Sequence, residues 1–235
     1  MKFTAIDIET TGLGPERDRI IEIGAVRFED GVQKEIFSTL VQPQIGSLPE
    51  RIVELTGITD EMLLGAPSEA VAMEQLLAFL AEDEVLLGHN IPFEYSFLKV
   101  AAGRLGKTFA FDGIDTLYLA RLCRPELPKK NLSVMCEEYN IQTECAHRAY
   151  EDALAAAKLY FCLQEQFAEA HPEWFAARPL SYEQKKTEPV TPKQVRYLKA
   201  IIDTYHLTLA PDFATLTKSE ASRLIDKLLS TYGRI

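Results

Sequence analysis

Hydrophobic positions in the first 170 residues recur with two spacings, one typical of strands and one of helices. Apolar runs at Phe3–Ile8, Ile20–Phe28 and Gly31–Val41 predict three strands, the last two joined by a turn at Glu29–Gly31. The run Val85–Leu87 predicts a buried strand. Helical spacing predicts helices in the ranges 67–80, 93–105, 115–122, 132–139 and 148–167. A starting hairpin followed by alternating helices and strands favours an α/β fold with a mixed sheet flanked by helices.

The pattern weakens after residue 170 and then changes character. Residues 171–190 contain several prolines among charged residues without regular spacing, which predicts a linker. In residues 191–235, Thr191–Gln194 and Thr217–Glu220 each fit a capping box at the start of an amphipathic helix. We therefore expect a main domain over residues 1–170 and a small C-terminal helical module over residues 191–235.

The composition excludes several classes of protein. The 235 residues are 47% hydrophobic and 26% charged, which suits a globular chain with one core and a small appendage. No run of about 18 apolar residues occurs, and the N-terminus does not resemble a signal peptide, so no membrane association is expected. The four cysteines form no C-x-x-C pair, so we expect neither structural zinc nor a disulfide framework, and a cytoplasmic location.

The charge is acidic and unevenly distributed. A net charge of −10 argues against nonspecific binding of polyanions. Residues 1–181 carry −13 and residues 182–235 carry +3. Two interpretations of the basic module stay open at this point: it grips nucleic acid, or it packs on the main domain or another protein with ordinary solvent-exposed lysines.

Carboxylates occupy positions where a core is expected. Asp7 and Glu9 lie two apart in an apolar strand, so they share one face at roughly 6.6–6.8 Å along the strand axis. Asp152 and Glu94 each lie on the apolar stripe of a predicted helix. A divalent cation removes the repulsion between such groups, and oxygen-only ligation suits Mg²⁺ or Mn²⁺. His147, just ahead of the last helix, is a candidate general base.

These residues lie in three segments that resemble the motifs of a known enzyme family. Asp7–Leu13, Gly88–Leu98 and His147–Ala153 resemble the three exonuclease motifs of the DEDD superfamily, in order and with suitable intervals. Weaker similarity lies at Thr56–Asp60 and Ile114–Thr116. The resemblance covers roughly residues 1–170, and it is strongest to the proofreading epsilon subunit of bacterial DNA polymerase III and its free-standing homologues.

The family resemblance implies a ribonuclease H-like fold and hydrolysis from the 3′ end that releases nucleoside 5′-monophosphates. It implies that His147 deprotonates the attacking water. The histidine subclass is indicated because Arg148 stands where the other subclass has tyrosine. Two divalent ions, Mg²⁺ or Mn²⁺, are implied, held by the four acidic residues Asp7, Glu9, Glu94 and Asp152. One residue departs from the pattern, since the second motif normally has Asp where this chain has Glu94; we expect activity to be retained because no carboxylate is lost.

The resemblance also implies substrate contacts around the terminal nucleotide. On one side Thr10, Thr11 and Leu13 would make backbone contacts and pack on the base, and on the other side the contacts are His89, Asn90 and Phe93. For the remaining phosphates, Arg148, Lys129 and Lys130 are candidates, although the lysine pair equally fits a solvated turn.

Three functional hypotheses follow from the motifs. The first is a metal-dependent 3′–5′ exonuclease acting on the 3′ ends of DNA, single-stranded DNA above all, with a DNA polymerase subunit left open as a second partner. The second is an exoribonuclease acting on short RNA. The third is a catalytically weak module that binds 3′ ends or a polymerase. The intact set of acids and His147 favours an enzyme, and Thr10–Leu13 together with the extra module favours DNA.

Overall fold

The structure is a computed structural model that describes residues 1–81, 84–142, 147–183, 188–209, 211–214 and 216–233. The chain divides into two compact units, Met1–Tyr182 and Glu183–Ile235. None of the described helices is both long and apolar enough to cross a membrane.

One mixed sheet organises the larger unit. Its strands are β1 (Lys2–Thr10), β2 (Ile20–Glu29), β3 (Val32–Leu40), β4 (Leu86–Gly88), β5 (Asp112–Asp115) and β6 (Arg178–Pro179). Their order across the sheet is β3-β2-β1-β4-β5-β6. Strands β1, β4 and β5 are mutually parallel neighbours, whereas β2 and β3 on one side and β6 on the other pair antiparallel. The carboxyl ends of three parallel strands therefore meet at one edge.

The hairpin half of the sheet follows directly from local sequence. Asp30 and Gly31 both adopt left-handed backbone conformations, with φ of 50° and 78°, which suits a tight turn between β2 and β3. Pairing of β1 with β2 places Asp7 opposite Gly24. Two residues further along β1, Glu9 lies opposite Glu22. Glu9 therefore lies on the same face of the strand as Asp7.

Helices cover both faces of this sheet. They are α1 (Glu50–Thr56), α2 (Asp60–Leu63), α3 (Glu69–Phe79), α4 (Pro92–Arg104), α5 (Thr116–Cys123), α6 (Leu132–Glu138) and α7 (Ala149–Phe167). Even positions of β1, such as Ile6 and Ile8, pack with residues of α3 and α4. Odd positions, such as Phe3 and Ala5, pack with residues of α5 and α7. Asp7 and Glu9 thus point to the face that α7 covers.

The predicted α/β architecture is confirmed, with corrections in detail. The predicted strands and helices occur within about two residues of their expected ends, but α1, α2, β5 and β6 were missed. The first part of the predicted linker is also structured. Pro172–Phe175 forms a 3₁₀ turn, and Leu180 packs into the main core because Gly113 leaves room for its side chain. Residues 184–187 of the predicted linker lie outside the described residues.

The smaller unit contains α8 (Pro192–Thr204) and α9 (Lys218–Tyr232). Both predicted capping boxes are present. The amide nitrogen of Gln194 donates to the carbonyl of Lys218 at 2.8 Å, which joins the two helix starts. At the other ends the rings of Tyr205 and Tyr232 stack with centroids 5.3 Å apart. The helices consequently run parallel, and Leu198 and Ile201 pack against Ala221 and Leu228 between them.

Candidate active site

Acidic side chains from three elements converge at the edge where the parallel strands end. Asp7 and Glu9 lie on β1, Glu94 lies in the first turn of α4, and Asp152 lies in the first turn of α7. Helix α4 begins shortly after β4 ends, and the start of α7 lies against Gly24 of β2, so both first turns reach this edge. This is the position at which open α/β sheets place their ligands.

The most compact part of the site is formed by Glu9, His147 and Asp152. One possible ligand atom from each lies within 4.8 Å of the others. The backbone N–H of His147 donates to Oδ2 of Asp152 at 3.1 Å, and His147 itself is exposed with a left-handed φ of 64°. The imidazole therefore lies at the mouth of the site, in reach of solvent and of both carboxylates.

The remaining two acids lie deeper and are strongly perturbed. Burial raises the pKa of Asp7 well above its usual range, and the charges of Glu94, Asp152 and Glu9 raise it further. Burial also raises the pKa of Glu94, and the charges of Asp115 and Glu9 add to that effect. These electrostatic couplings place all four predicted acids in one cluster.

The two acids nearer the mouth are perturbed in the same direction. Burial, with Asp152 and Glu22 nearby, raises the pKa of Glu9 to about 8, although Arg148 opposes the shift. Burial raises the pKa of Asp152 too, against the opposing effects of the His147 charge and its backbone N–H. Four carboxylates this close together repel one another unless a cation offsets their charge. Because strongly perturbed pKa values cluster at functional sites, the four acids indicate a functional site.

The donor set fits a hard divalent cation. Oε2 of Glu94 is buried and has no hydrogen-bond partner among the described residues. A buried carboxylate oxygen without a partner is costly, and a bound cation removes that cost. Carboxylate oxygens are the ligands that Mg²⁺ and Mn²⁺ prefer.

Close approach of α7 to β2 brings Asp152 to this cluster. A Cβ atom at Gly24 would lie 2.1 Å from the backbone nitrogen of Tyr150 and 2.3 Å from the carbonyl carbon of Ala149. Because Gly24 pairs with Asp7 across the strands, this contact seats the start of α7 directly over Asp7. Only glycine permits it.

Glu22 is a residue of the site that sequence reasoning missed. It is buried opposite Glu9, and its carboxylate accepts hydrogen bonds from Arg148 and from the backbone N–H of Ala149. The only sequence signal was an acid at an inward position of an otherwise apolar strand, the same signal that singled out Asp7. Arg148, a candidate phosphate contact, pairs with Glu22 in this structure.

A cavity of about 450 Å³ adjoins the acidic cluster at Glu9. Among the predicted substrate contacts, Thr10, Leu13 and Phe93 line it. The Leu13 side chain is 83% exposed, which is unusual for leucine and leaves an apolar surface facing the cavity. The helix α1, which the sequence pattern did not reveal, supplies another part of the wall with Arg51, Ile52 and Leu55.

Thr10 and Thr11 are buried and shape the loop that carries Leu13. The Thr10 hydroxyl donates to the carbonyl of Gly12 at 2.6 Å, and the Thr11 hydroxyl accepts from the N–H of Arg19 at 2.9 Å. Their side chains are thus engaged within the protein, which fits the predicted backbone contacts of these residues better than side-chain contacts.

His89 and Asn90 connect the ends of β4 and β5. Nε2 of His89 lies 2.7 Å from the carbonyl of Lys130, so it donates, and Nδ1 lies 2.9 Å from the Thr116 hydroxyl. Burial lowers the pKa of His89, consistent with a neutral ring that accepts from Thr116. Asn90, with φ of 83°, donates its backbone N–H to Asp115 at 2.8 Å. The His89 ring is thus held by the protein rather than directed at the cavity.

The two lysines proposed for phosphate binding differ in their surroundings. Lys129 is exposed, whereas the ammonium of Lys130 donates to the carbonyl of Leu127. Neither lysine lies among the residues that line the cavity next to Glu9.

Curated proteins with similar sequences include components of DNA polymerase III. The chain is 37% identical over 165 residues to the DNA polymerase III subunit epsilon of Aquifex aeolicus, covering 70% of this chain and 81% of that protein. It is 38% identical over 158 residues to the PolC-type DNA polymerase III of Clostridium perfringens, covering 67% of this chain. The match spans only 11% of that PolC-type relative.

Solved structures with similar folds include two exonucleases. One is exonuclease X in complex with 5′ overhanging duplex DNA, with a TM-score of 0.57, 23% identity and coverage of 71% of this chain and 93% of that one. The other is the zinc-bound complex of Escherichia coli exonuclease I with single-stranded DNA, with a TM-score of 0.64 and 21% identity over 71% of this chain and 41% of that one. At this level of identity the likeness establishes the fold.

The mixed sheet with carboxylates at the ends of its parallel strands defines a ribonuclease H-like nuclease fold, as the sequence predicted. The family model described as "Exonuclease" matches residues 4–160. This chain therefore belongs to the exonuclease family, and the predicted family assignment is confirmed.

Proposed function

We propose that this chain is a metal-dependent 3′–5′ exonuclease that trims the 3′ ends of DNA and releases nucleoside 5′-monophosphates. The observation that carries the proposal is the convergence of Glu9, His147 and Asp152 within 4.8 Å, next to the deeper acids Asp7 and Glu94. Carboxylates beside an exposed imidazole are suited to metal-assisted hydrolysis with a general base.

In this proposal the acidic residues bind metal and His147 acts as the general base. Asp7, Glu9, Glu94 and Asp152 hold two divalent ions, Mg²⁺ or Mn²⁺. When bound, these ions supply positive charge that stabilises the attacking and leaving oxygens of the scissile phosphate. His147, exposed at the mouth of the site, accepts the proton of the attacking water at an imidazole nitrogen.

The cavity beside Glu9 supplies the binding site for the terminal nucleotide. Its volume of about 450 Å³ suits one nucleotide, and Leu13 and Phe93 offer apolar surface to the base. Thr10 and Thr11 keep the Leu13 loop in place, and the backbone at His89 and Asn90 sets the start of α4, which carries Glu94. The phosphodiester would then lie over the carboxylate cluster.

DNA is the substrate that the comparisons favour. The relatives are named as DNA polymerase III components, and both exonuclease structures hold DNA. The similarity to an epsilon subunit further supports a DNA polymerase as a second partner. We propose single-stranded 3′ ends because a single strand fits a cavity of one nucleotide without unpairing.

A gel assay with 5′-labelled single-stranded DNA and its RNA counterpart tests this function. We expect a ladder that shortens from the 3′ end of DNA with Mg²⁺ or Mn²⁺ and is lost in EDTA and in Asp152→Asn. Glu151→Gln is the matched control, because it neutralises the neighbouring acid of the same helix turn, and it should keep the ladder. Absence of any ladder with either metal would refute the enzyme, and faster trimming of RNA would refute the substrate.

A further inference from the structure

Glu22 and Arg148 form an ion pair beside the acidic cluster, in which Glu22 is buried and the Arg148 side chain is 37% exposed. The Glu22 side chain is only 2% exposed. Nε of Arg148 lies 3.0 Å and 3.2 Å from the two carboxylate oxygens, and its Nη2 lies 2.7 Å from Oε1. The backbone N–H of Ala149 donates to Oε2 at 3.1 Å. Both oxygens of Glu22 are therefore occupied by the residues that begin α7.

These hydrogen bonds lie at the N-terminus of α7. Ala149 is the first residue of the helix, and its N–H has no partner within the helix. A carboxylate at a helix N-terminus satisfies that donor and interacts favourably with the helix dipole. Since Arg148 at the N-cap makes no capping hydrogen bond with its own side chain, Glu22 supplies the cap from a neighbouring strand.

Two residues of the site depend on this start. His147 immediately precedes Arg148, and Asp152 follows Ala149 by three residues, within the first helical turn. The backbone N–H of His147 bonds to Asp152, so the two move with the same turn. Glu22 itself stands opposite Glu9 in the register of β1 and β2. The ion pair thus joins β2, the strand next to Glu9, to the helix start that carries His147 and Asp152.

The charges of Glu22 and Arg148 also indicate that the two residues act together. The carboxylate of Glu22 raises the pKa of Asp7, Glu9 and Asp152, so alone it would worsen the crowding. The guanidinium of Arg148 lowers the pKa of Glu9 and compensates the added charge. Because Glu22 is buried, removing Arg148 would leave a buried carboxylate uncompensated, which is costly.

We propose that the Glu22–Arg148 pair is a positioning device of the site, which holds the start of α7 so that His147 and Asp152 face Glu9. Neither residue contacts substrate in this role, and Arg148 is not a phosphate ligand. The proposal rests on the proposed exonuclease function for its kinetic consequences, but it also concerns metal affinity, which is measured without substrate.

The chain contains a matched control for this pair. Arg27 Nε lies 2.9 Å from Glu84 Oε1, the Glu84 side chain is 0% exposed, and Arg27 lies on the same strand as Glu22. This second pair lies at the far end of the sheet, where Glu84 also accepts from the Thr4 hydroxyl at 2.6 Å. Glu22→Gln and Glu84→Gln therefore damage similar interactions, and only the first lies beside the site.

The experiment compares Glu22→Gln, Arg148→Gln, their double variant and Glu84→Gln in the full chain. It measures kcat and KM for trimming of single-stranded DNA, Mn²⁺ affinity by calorimetry without DNA, and Tm. We expect each single variant of the pair to lower kcat and Mn²⁺ affinity by about 10–100-fold with KM unchanged. The double variant should be no worse than the singles, because the two act as a unit. Glu84→Gln should lower Tm at least as much and leave kcat unchanged.

Three outcomes would overturn the proposal. In the first, Glu22→Gln affects kcat and Mn²⁺ affinity no more than Glu84→Gln does. In the second, Arg148→Gln raises KM while kcat and Mn²⁺ affinity stay unchanged, which would make Arg148 a substrate contact. In the third, the two single effects multiply in the double variant. If the unaltered protein trims nothing, the proposed function fails, and the Mn²⁺ affinities alone decide the positioning role.

Discussion

At the scale of single residues, His147 is the least constrained member of the site. It is exposed, and in the part of the chain that the structure describes its backbone N–H donates to Asp152. Its side chain can therefore be altered without loss of packing. A variant of His147 therefore tests the chemical role of the side chain without a large change in stability. Variants of the deeper residues Asp7 and Glu94 would change both.

We predict that His147→Gln lowers kcat by about 10²–10⁴-fold, because the reaction loses its general base. Tm should stay unchanged, since no buried contact is lost. The control is His206→Gln, because His206 is also exposed and also left-handed, with φ of 50°. Steady-state kinetics and thermal melts check both variants; equal kcat in the two would exclude His147 as the base.

Glu94 illustrates how one residue can satisfy a family pattern and depart from it. The family pattern has Asp at this position. The carboxylate of Glu94 still lies in the cluster, where its Oε2 has no hydrogen-bond partner among the described residues. The charge is retained and the reach is longer. The site therefore keeps its full set of four acids.

At the scale of elements, the contact between β2 and α7 decides the geometry of the site. The two elements touch through backbone at Gly24, where a Cβ would meet the backbone of Ala149 and Tyr150. Backbone atoms in a packed helix cannot move aside as a flexible side chain does. The start of α7, with Asp152 in its first turn, can therefore lie this close to β2 only because Gly24 has no side chain.

We predict that Gly24→Ala destabilises the protein by about 1–3 kcal/mol, because the added methyl group overpacks this contact. Activity should fall more than stability explains, since the helix start is displaced from Asp7. Gly103→Ala is the control: Gly103 lies in α4, nothing lies within 4 Å of its added Cβ, and alanine is the better helix former.

Denaturant unfolding and the DNA trimming assay together test this prediction. Gly103→Ala should raise the free energy of unfolding by about 0.5–1 kcal/mol and keep full activity. A Gly24→Ala protein with unchanged stability and rate would show that α7 does not rest on this glycine.

Elements also show where local pattern is a sufficient guide. The tight β2–β3 hairpin and the capping boxes of α8 and α9 were predicted from a few adjacent residues, because turns and helix starts depend on local backbone chemistry. The short helix α1 was missed although it lines the cavity beside Glu9. Its seven residues are too few for a helical repeat to be distinct.

At the scale of the whole molecule, the acidic cluster couples stability to pH. The pKa values of Asp7, Glu9, Glu94 and Asp152 are all raised by burial and by one another. The folded protein then binds protons more tightly than the unfolded chain. The associated stability is fully present below the ordinary carboxyl pKa near 4 and is lost as pH rises through the folded values, about 8 for Glu9.

We predict that in EDTA the free energy of unfolding falls by roughly 1–3 kcal/mol between about pH 5 and pH 8. Saturating Mg²⁺ or Mn²⁺ should restore Tm at pH 8 and change it little at pH 5, because the ligands must be deprotonated to bind. Thermal melts across this range with and without metal measure the effect.

Glu94→Gln provides the control for this measurement. It removes one of the deepest charges, so its metal-free stability should fall less steeply with pH than that of the unaltered protein. A stability in EDTA that is constant or rises from pH 5 to pH 8 would contradict the proposed crowding of carboxylates.

The sequence by itself predicted most of the elements and singled out the candidate reactive residues. Period-two and helical spacing depend on neighbours along the chain, so they placed Asp7 and Glu9 on one strand face and Asp152 on an inward helix face. The ordered motifs identified the exonuclease family, and the family model matching residues 4–160 confirms it.

Only the tertiary structure decided which distant residues meet. The pairing of Glu22 with Arg148 joins positions 126 apart, and the seating of α7 on Gly24 depends on the register of β1 and β2. The packing of Leu180 in the main core and the parallel course of α8 and α9 are likewise contacts between remote segments. Local periodicity specifies which face of an element is apolar, but the partner of that face is selected by packing across the whole chain.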